Sequence, residues 1–260
     1  MKFPYRHAVF LLGALFVGAS TSAAAQEPPQ GAGKSVASHP RGNYAALDSL
    51  PDWGGVWILN RTPPGSRPRP ELKGRYLEAY QAWVREVEEK DGMVARRGSY
   101  CLPPGMPGIM GVNQYPIEFL FVPGRVITHH EAWMAWRYIY TDGRPHPDPE
   151  DLDPSFFGHS IGRWEGDTLV VETVGIKETV EMAMGMKHSP QMRILERIHL
   201  AKDDPDTLVV EITVEDPEAL VKPWSYTLTY RRHRDAELIE FICNENDRNP
   251  VDESGRVLFE

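Results

Sequence analysis

Alternating apolar and polar residues mark the C-terminal half of the chain. Residues 207–214 (TLVVEITV) carry aliphatic side chains at every even position, and residues 224–231 (WSYTLTYR) repeat the alternation. Because the side chains of a strand point alternately to its two faces, this period predicts antiparallel strands with one buried face and one solvated face. The predicted buried face carries Leu208, Val210, Ile212, Val214, Trp224, Tyr226, Leu228 and Tyr230.

Short turns separate a long succession of such strands after residue 117. Pro123-Gly124, Asp142-Gly143 and Glu165-Gly166 interrupt apolar segments, and the last predicted strand covers residues 237–245 (ELIEFICNE). About eight to ten consecutive strands favour a mainly β fold, an antiparallel meander that closes into a lipocalin-like β-barrel, since closure removes exposed sheet edges. A β-sandwich is the alternative.

One helix is predicted before the strands, over residues 71–90. Its apolar positions recur at helical spacing, and Gly92 follows as a stop signal. We expect this apolar stripe to pack against the sheet; it consists of Leu77, Tyr80, Trp83, Val84 and Val87.

The N-terminus has the features of a secretory signal peptide. Lys2 and Arg6 form a basic n-region, and the apolar run that follows over residues 8–19 is too short for a stable transmembrane anchor. The small residues Ala23 to Ala25 then fit the specificity of signal peptidase. We therefore expect a periplasmic or secreted protein with no stable membrane anchor after cleavage.

This reading divides the chain into three parts. Residues 1–25 form the signal peptide, residues 26–50 a flexible lead-in rich in Pro, Gly, Ser and Ala, and residues 51–260 a single barrel-like domain that includes the helix. Cys101 and Cys243 are the only cysteines. An even number of cysteines in an oxidising compartment favours one disulfide between them, and two free thiols are the alternative.

Composition narrows the range of partners. The formal net charge is −9, and nucleic-acid binding generally needs a basic face, so we expect no nucleic-acid partner. The chain has no dinucleotide fingerprint, Walker loop, haem motif or CxxC motif. We therefore expect no cofactor and no redox or nucleotide chemistry, and we expect a small molecule as the partner.

Glu196 stands out among the candidate catalytic residues. It shares strand parity with Ile194 and Ile198, so a strand would point this carboxylate among apolar side chains. Burial disfavours the charged form of a carboxyl group, which suits a general acid or base near neutral pH. A structural ion pair with Arg137 or Arg163 is the alternative.

The other candidate site residues are ionisable or aromatic side chains on the predicted strands. Together with Glu196, His159 and His130 form the predicted catalytic set. The predicted substrate-binding residues are Arg137, Tyr138, Trp164 and Glu245. Aromatic side chains would supply contact area in a barrel lumen, and the arginine would hold an anionic or carbonyl group.

Two further patterns are weaker. His129 and Glu131 share strand parity, while His130 points the other way, so they are candidate metal ligands without an established ligand spacing. Residues 158–162 (GHSIG) match G-x-S-x-G, but the following residues predict a turn and a strand instead of the strand–turn–helix that a nucleophile elbow requires. We therefore expect no metal and regard Ser160 as part of a strand.

Several sequence blocks carry a resemblance. Residues 52–57 (DWGGVW) are similar to the Gly-x-Trp opening of lipocalin-like barrels. Residues 159–173 (HSIGRWEGDTLVVET), with residues 140–144 (YTDGR) and 243–246 (CNEN), resemble a family of uncharacterised exported bacterial proteins. The resemblance covers most of the chain after about residue 50 and implies an exported single-domain protein. It implies no mechanism.

Two functions fit these features. The first is a periplasmic small-molecule enzyme that performs cofactor-independent acid–base chemistry in the barrel lumen, as a lyase, isomerase or hydrolase. The alternative is a non-catalytic binder or carrier of a small, partly apolar ligand in the same lumen. A filled barrel with a purely structural role in the cell envelope is a third interpretation.

Overall fold

The alternating segments of the sequence become the strands of one sheet. A computed structural model describes residues 44–62, 67–94 and 100–243. Within these residues the chain forms nine β-strands, which make up the sheet, and one α-helix, α1 (Gly74–Glu89). The strands are β1 (Val56–Leu59), β2 (Ile117–Val122), β3 (Arg125–His130), β4 (Ala135–Tyr140), β5 (His159–Glu165), β6 (Thr168–Val174), β7 (Arg193–Ala201), β8 (Asp204–Glu215) and β9 (Trp224–His233).

Each strand pairs with the next in the chain, and β9 pairs with β1 to close a barrel. Every pairing is antiparallel except that of β4 with β5, which are parallel and are joined by residues 141–158. The predicted lipocalin-like barrel with one helix is confirmed, and the β-sandwich alternative is wrong. Closure supplies backbone partners to both edges of the sheet, which is why the meander does not stay open.

The barrel interior is filled by side chains of one parity from each strand. On β8 and β9 these are the residues predicted to be buried, of which all but the partly buried Tyr226 are almost inaccessible to solvent. Trp57, Phe119 and Ile139 contribute from the other side of the barrel. A barrel of this size is just wide enough for side chains to fill its interior. The predicted hollow lumen is therefore largely a packed core.

Helix α1 lies within the predicted range of 71–90. Tyr76 is its one fully buried residue, whereas Leu77, which the periodicity placed in the apolar stripe, is 37% exposed. The partly buried Tyr80 packs against the core and stacks on Trp83 at 5.9 Å between ring centroids. The buried stripe is thus displaced by one residue at the start of the helix.

The Pro- and Gly-rich stretch before β2 closes one part of the barrel. A 3-10 turn in this stretch, Gly108–Gly111, buries Ile109 and Met110. The Tyr230 hydroxyl, on β9, donates a hydrogen bond to the Met110 carbonyl. This contact fixes the stretch against the barrel interior.

The predicted last strand, residues 237–245, does not form within its described part, residues 237–243, none of which is in a strand. The closed sheet has no free edge for another strand to join. Instead the Ile239 amide donates to the Glu131 carboxylate at 3.0 Å, and Phe241 packs edge-on against Tyr115. The predicted disulfide is confirmed: Cys101 and Cys243 are paired, with Cα atoms 5.6 Å apart.

Several predictions fall outside the described residues. The signal peptide over residues 1–25 and most of the lead-in over residues 26–50 lie there, as does Glu245. The described end of the lead-in contains a short 3-10 helix, Tyr44–Leu47. None of the helices in the described part of the chain is long and apolar enough to cross a membrane.

Candidate functional site

A buried ion pair occupies the centre of the barrel. Arg137 on β4 and Glu196 on β7 both point inward and are 2% and 0% exposed. The guanidinium donates two parallel hydrogen bonds to the carboxylate, one of them at 3.1 Å from Nη1 to Oε1 and the other from Nη2 to Oε2. This fork geometry is the strongest arrangement of an arginine with a carboxylate. The contacts of Glu196 therefore match the alternative interpretation, a structural ion pair with Arg137.

Two hydroxyl groups complete this network. Arg137 also donates from Nε to Ser160 at 3.2 Å and from Nη2 to Thr173 at 2.9 Å. The Ser160 and Thr173 hydroxyls are themselves 2.8 Å apart. Buried charges are tolerated when their hydrogen-bonding groups are paired in this way. The network closes on itself and leaves no part of Glu196 accessible to a substrate.

Ser160 belongs to a strand, as the sequence predicted. Its G-x-S-x-G motif lies at the start of β5, and at both glycines a neighbouring residue lies too close for a side chain to fit. A Cβ on Gly158 would lie 2.4 Å from the Val174 carbonyl oxygen, and one on Gly162 would lie 2.8 Å from an Ile139 methyl group. The glycines of the motif thus allow close packing of the barrel and do not form a nucleophile elbow.

His130 also lies inside the barrel. It is 1% exposed, and its Nε2 is 3.0 Å from the Thr128 hydroxyl. Burial lowers the pKa of His130 to about 3, and the positive charge of Arg137 and the proximity of His129 contribute to the same shift. His130 is therefore neutral at physiological pH.

His159 lies on the outer face of the barrel, contrary to the prediction that it faces the lumen. It follows the parity opposite to that of Ser160, and its Nδ1 is 2.8 Å from Nδ1 of His146 in the loop between β4 and β5. Its ring stacks on Tyr140. Burial, mainly, and the nearby His146 and Arg144 lower the pKa of His159. His159 and Glu196 therefore lie on opposite sides of the barrel wall.

Two predicted substrate-binding residues also lie apart from the central network. Tyr138 is 45% exposed on the outer face, beneath the guanidinium of Arg125, so the prediction that it lines the lumen is wrong. Trp164 points inward but belongs to an aromatic cluster with Trp53 and Phe121.

The weak metal candidates have other partners. His129 is on the outer face of β3, where its Nδ1 is 2.9 Å from Glu118 and its ring stacks on Trp136. Glu131 lies beyond the end of β3 in a helical backbone conformation, so strand parity does not apply to it. Across the described ranges, no group of three or more His, Cys, Asp or Glu residues is arranged to hold a metal ion.

An open pocket lies beside the start of β9, between helix α1 and the 3-10 turn at Gly108–Gly111. We call it the mouth pocket. Its volume is about 430 Å³, within the range of small-molecule sites. Five short segments of the chain contribute its wall: residues 67–70, 80–83, 107–111, 182–186 and 224–226. Its side chains include Arg67, Arg69, Tyr80, Trp83, Met182, Met184, Met186, Trp224 and Tyr226.

Local backbone features shape this pocket. Gly185, with φ of +73°, adopts a conformation that favours glycine, and a Cβ there would lie 2.3 Å from the Trp83 ring. The Met-Ala-Met-Gly-Met segment can therefore press directly against helix α1. The Trp224 indole donates to the Pro68 carbonyl at 2.7 Å, which holds the segment that carries Arg67 in place.

The sequence matches no protein-family model and no curated protein. Any functional conclusion therefore depends on the geometry of the sites described above. The mouth pocket was not predicted from the sequence, because its wall comes from five separate segments. Residues 61–70 (RTPPGSRPRP) are rich in proline, and nothing in this composition marks Arg67 as a binding residue.

Proposed function

We propose that this protein binds a small, partly apolar molecule in the mouth pocket. The observation that supports the proposal best is the combination of an open cavity with aromatic and thioether walls. Met184, at 62% exposed, leaves apolar surface facing the solvent where a ligand can cover it. Tyr80, Trp83 and Trp224 offer rigid aromatic surfaces, and methionine adapts its shape to irregular ligands.

The barrel interior is a less suitable site than the mouth pocket. Its centre holds the Arg137–Glu196 pair, in which the guanidinium donates to the Glu196 carboxylate and also to the Ser160 and Thr173 hydroxyls. A ligand that entered would have to break these buried hydrogen bonds, each of which is costly to leave unmade. A ligand in the mouth pocket breaks none of them.

Binding without chemical conversion fits the geometry better than acid–base catalysis. A proton-transfer site needs its acid, base and substrate within hydrogen-bonding reach of one another. Glu196 and His130 are enclosed in the barrel, whereas His159 is on its outer face. The acid–base activity expected from the sequence stays a prediction, and a carrier or binding role is the function we propose.

We further propose that the protein acts in the periplasm or outside the cell. The Cys101–Cys243 pair supports this location, because disulfides persist in oxidising compartments. The predicted signal peptide supports it independently. Mass spectrometry of the protein from fractionated cells tests the proposal: we expect a periplasmic chain that begins at Gln26, and an uncleaved chain in the cytoplasm would contradict it.

The binding proposal can be tested with the neutral fluorescent probe N-phenyl-1-naphthylamine. We expect saturable binding of one equivalent and recovery of the probe chemically unchanged. Ala183→Trp fills the pocket and should weaken binding roughly tenfold or more, since a contact worth about 1.4 kcal/mol changes affinity tenfold. Ala201→Trp, in β7 and away from the pocket, is the matched control.

The two variants separate specific from non-specific binding. Wild-type affinity in Ala201→Trp together with weakened binding in Ala183→Trp supports the mouth pocket. Equal binding by all three proteins, or no saturable binding by the wild type, contradicts the proposal.

A further inference from the structure

The mouth pocket is positively charged in an acidic protein. Arg67 and Arg69 both line it, and none of the described lining residues is an aspartate or a glutamate. The whole chain carries a formal charge of −9. Two uncompensated cations in a pocket with apolar walls concentrate positive potential where a ligand would sit.

Among the described residues, Arg67 has no carboxylate partner, unlike the buried arginines of the barrel. Its Nε is fully buried without a hydrogen-bond partner among the described residues. Arg232 also has an Nε without a hydrogen bond, but it forms an ion pair with Asp52 at 3.1 Å, as Arg137 does with Glu196. Arg67 as a whole is partly buried, and no ion pair joins it to a described carboxylate, so its two Nη groups are left to pair with an anionic ligand.

The surroundings of Arg67 hold its guanidinium in position. The guanidinium lies 5.5 Å from the centroid of the Tyr226 ring. Its Nη1 is 2.9 Å from the point where a Cβ on Gly111 would be, so the missing side chain leaves room for the arginine. A planar guanidinium fixed in this way can bind a carboxylate through two parallel hydrogen bonds.

Tyr226 adds a second polar group to the pocket. Burial raises the pKa of its phenol, with Glu196 adding to the rise, while Arg67 acts in the opposite direction. The hydroxyl therefore stays protonated at physiological pH and can donate a hydrogen bond. It makes none to a described residue in the structure. Tyr226 and Arg67 together offer donors and no acidic acceptor.

From this arrangement we infer that the ligand of the mouth pocket is an aromatic monocarboxylate. The inference rests on the binding function proposed above and specifies its ligand class. The carboxylate pairs with Arg67 and accepts from Tyr226, and the ring lies against the stacked Tyr80–Trp83 pair and Trp224. Arg69, at the exposed side, attracts the anion during approach.

Three naphthalene probes of matched shape test the inference by isothermal titration calorimetry: naphthalene-2-carboxylate, the neutral naphthalene-2-carboxamide and the cationic 2-naphthylmethylamine. We expect the carboxylate to bind roughly tenfold or more tightly than the carboxamide, since a charge-assisted hydrogen bond exceeds a neutral one by about that factor. The cation should bind most weakly of the three.

Arg67→Met should remove the preference for the carboxylate and keep binding of the carboxamide. Arg67→Lys keeps the charge without the fork and should retain part of the preference. Arg75→Met removes an exposed arginine that does not line the pocket and should behave as the wild type. An unchanged thermal unfolding midpoint establishes that each variant is folded.

The outcomes distinguish the inference from the proposed function. Preference for the carboxylate that is lost in Arg67→Met supports both. Equal binding of carboxylate and carboxamide, or a preference that survives Arg67→Met, overturns the inference and leaves the binding function standing. No binding of any of the three probes overturns both.

Discussion

The Arg137–Glu196 pair provides a sharp test of how the barrel is stabilised. Glu196→Gln changes the size of the side chain very little and removes its negative charge. The variant leaves the Arg137 guanidinium in the barrel centre with one amide oxygen to accept from it, in place of two carboxylate oxygens. Because Arg137 is 2% exposed, water cannot replace the lost interaction.

The expected cost can be estimated from this geometry. Breaking a buried ion pair by altering one partner costs about 3–5 kcal/mol. The amide keeps one hydrogen bond, and Ser160 and Thr173 keep theirs, so we expect the lower end, about 3 kcal/mol. For a domain of this size, about 3 kcal/mol corresponds to a fall in unfolding midpoint of roughly 6–12 °C.

Thermal and urea unfolding, followed by tryptophan fluorescence with the disulfide intact, measure this change. Glu211→Gln is the matched control, because Glu211 lies on the neighbouring strand β8 with a side chain 52% exposed. The control should alter stability by less than about 0.5 kcal/mol. If Glu196→Gln were as stable as the control, the structural role of Glu196 would be refuted, and the acid–base role predicted from the sequence would be the better interpretation.

Three further predictions concern stability. Burial lowers the pKa of His130 to about 3, so the unfolded chain binds this proton at a higher pH than the folded protein does, and stability should fall as pH decreases from about 6.5 towards 3, by up to roughly 1.4 kcal/mol per pH unit. Urea unfolding at several pH values should show a shallower pH dependence for His130→Gln than for the wild type. An identical slope for the two proteins would contradict the assignment. Reduction of the Cys101–Cys243 disulfide, which joins residues 142 positions apart, should destabilise the fold by about 4–5 kcal/mol at most, and equal unfolding midpoints for the oxidised and reduced protein would argue against a constraint on the unfolded chain. Gly158→Ala should lower the free energy of unfolding by about 2 kcal/mol more than Gly166→Ala does. Both glycines have positive φ, but of the two only Gly158 has a carbonyl oxygen 2.4 Å from the added Cβ. Similar free energies of unfolding for the two variants would refute the packing role of Gly158.

Strand periodicity predicted the barrel because its signal is local. The even-numbered residues of β8, from Leu208 to Val214, are all buried, as the alternation indicated. The same rule exposes an inconsistency in the predicted site. Arg137 and Tyr138 are adjacent on one strand, so they could not both have pointed inward. His159 and Trp164 show the same problem, since they lie five positions apart on β5 and therefore point to opposite faces.

Non-local packing explains what the sequence did not predict. Residues 237–243 alternate like a strand, but the β1–β9 pairing leaves no edge for them. The mouth pocket depends on segments more than a hundred residues apart, such as those of Arg67 and Met184. A residue such as Arg67 becomes a candidate binding residue only when the structure shows that no carboxylate of the described residues pairs with it.

Methionine methyl groups offer the most direct test of the mouth pocket as the binding site. Three of them, from Met182, Met184 and Met186, line it, whereas the exposed Met93 and Met134 do not. In a protein labelled with ¹³C at the methionine methyl groups, titration with N-phenyl-1-naphthylamine should shift the NMR signals of the three pocket methionines, because the ring currents of a bound aromatic act over short distances. The signals of Met93 and Met134 should stay in place. Unchanged signals from the pocket methionines at saturating probe would contradict the account.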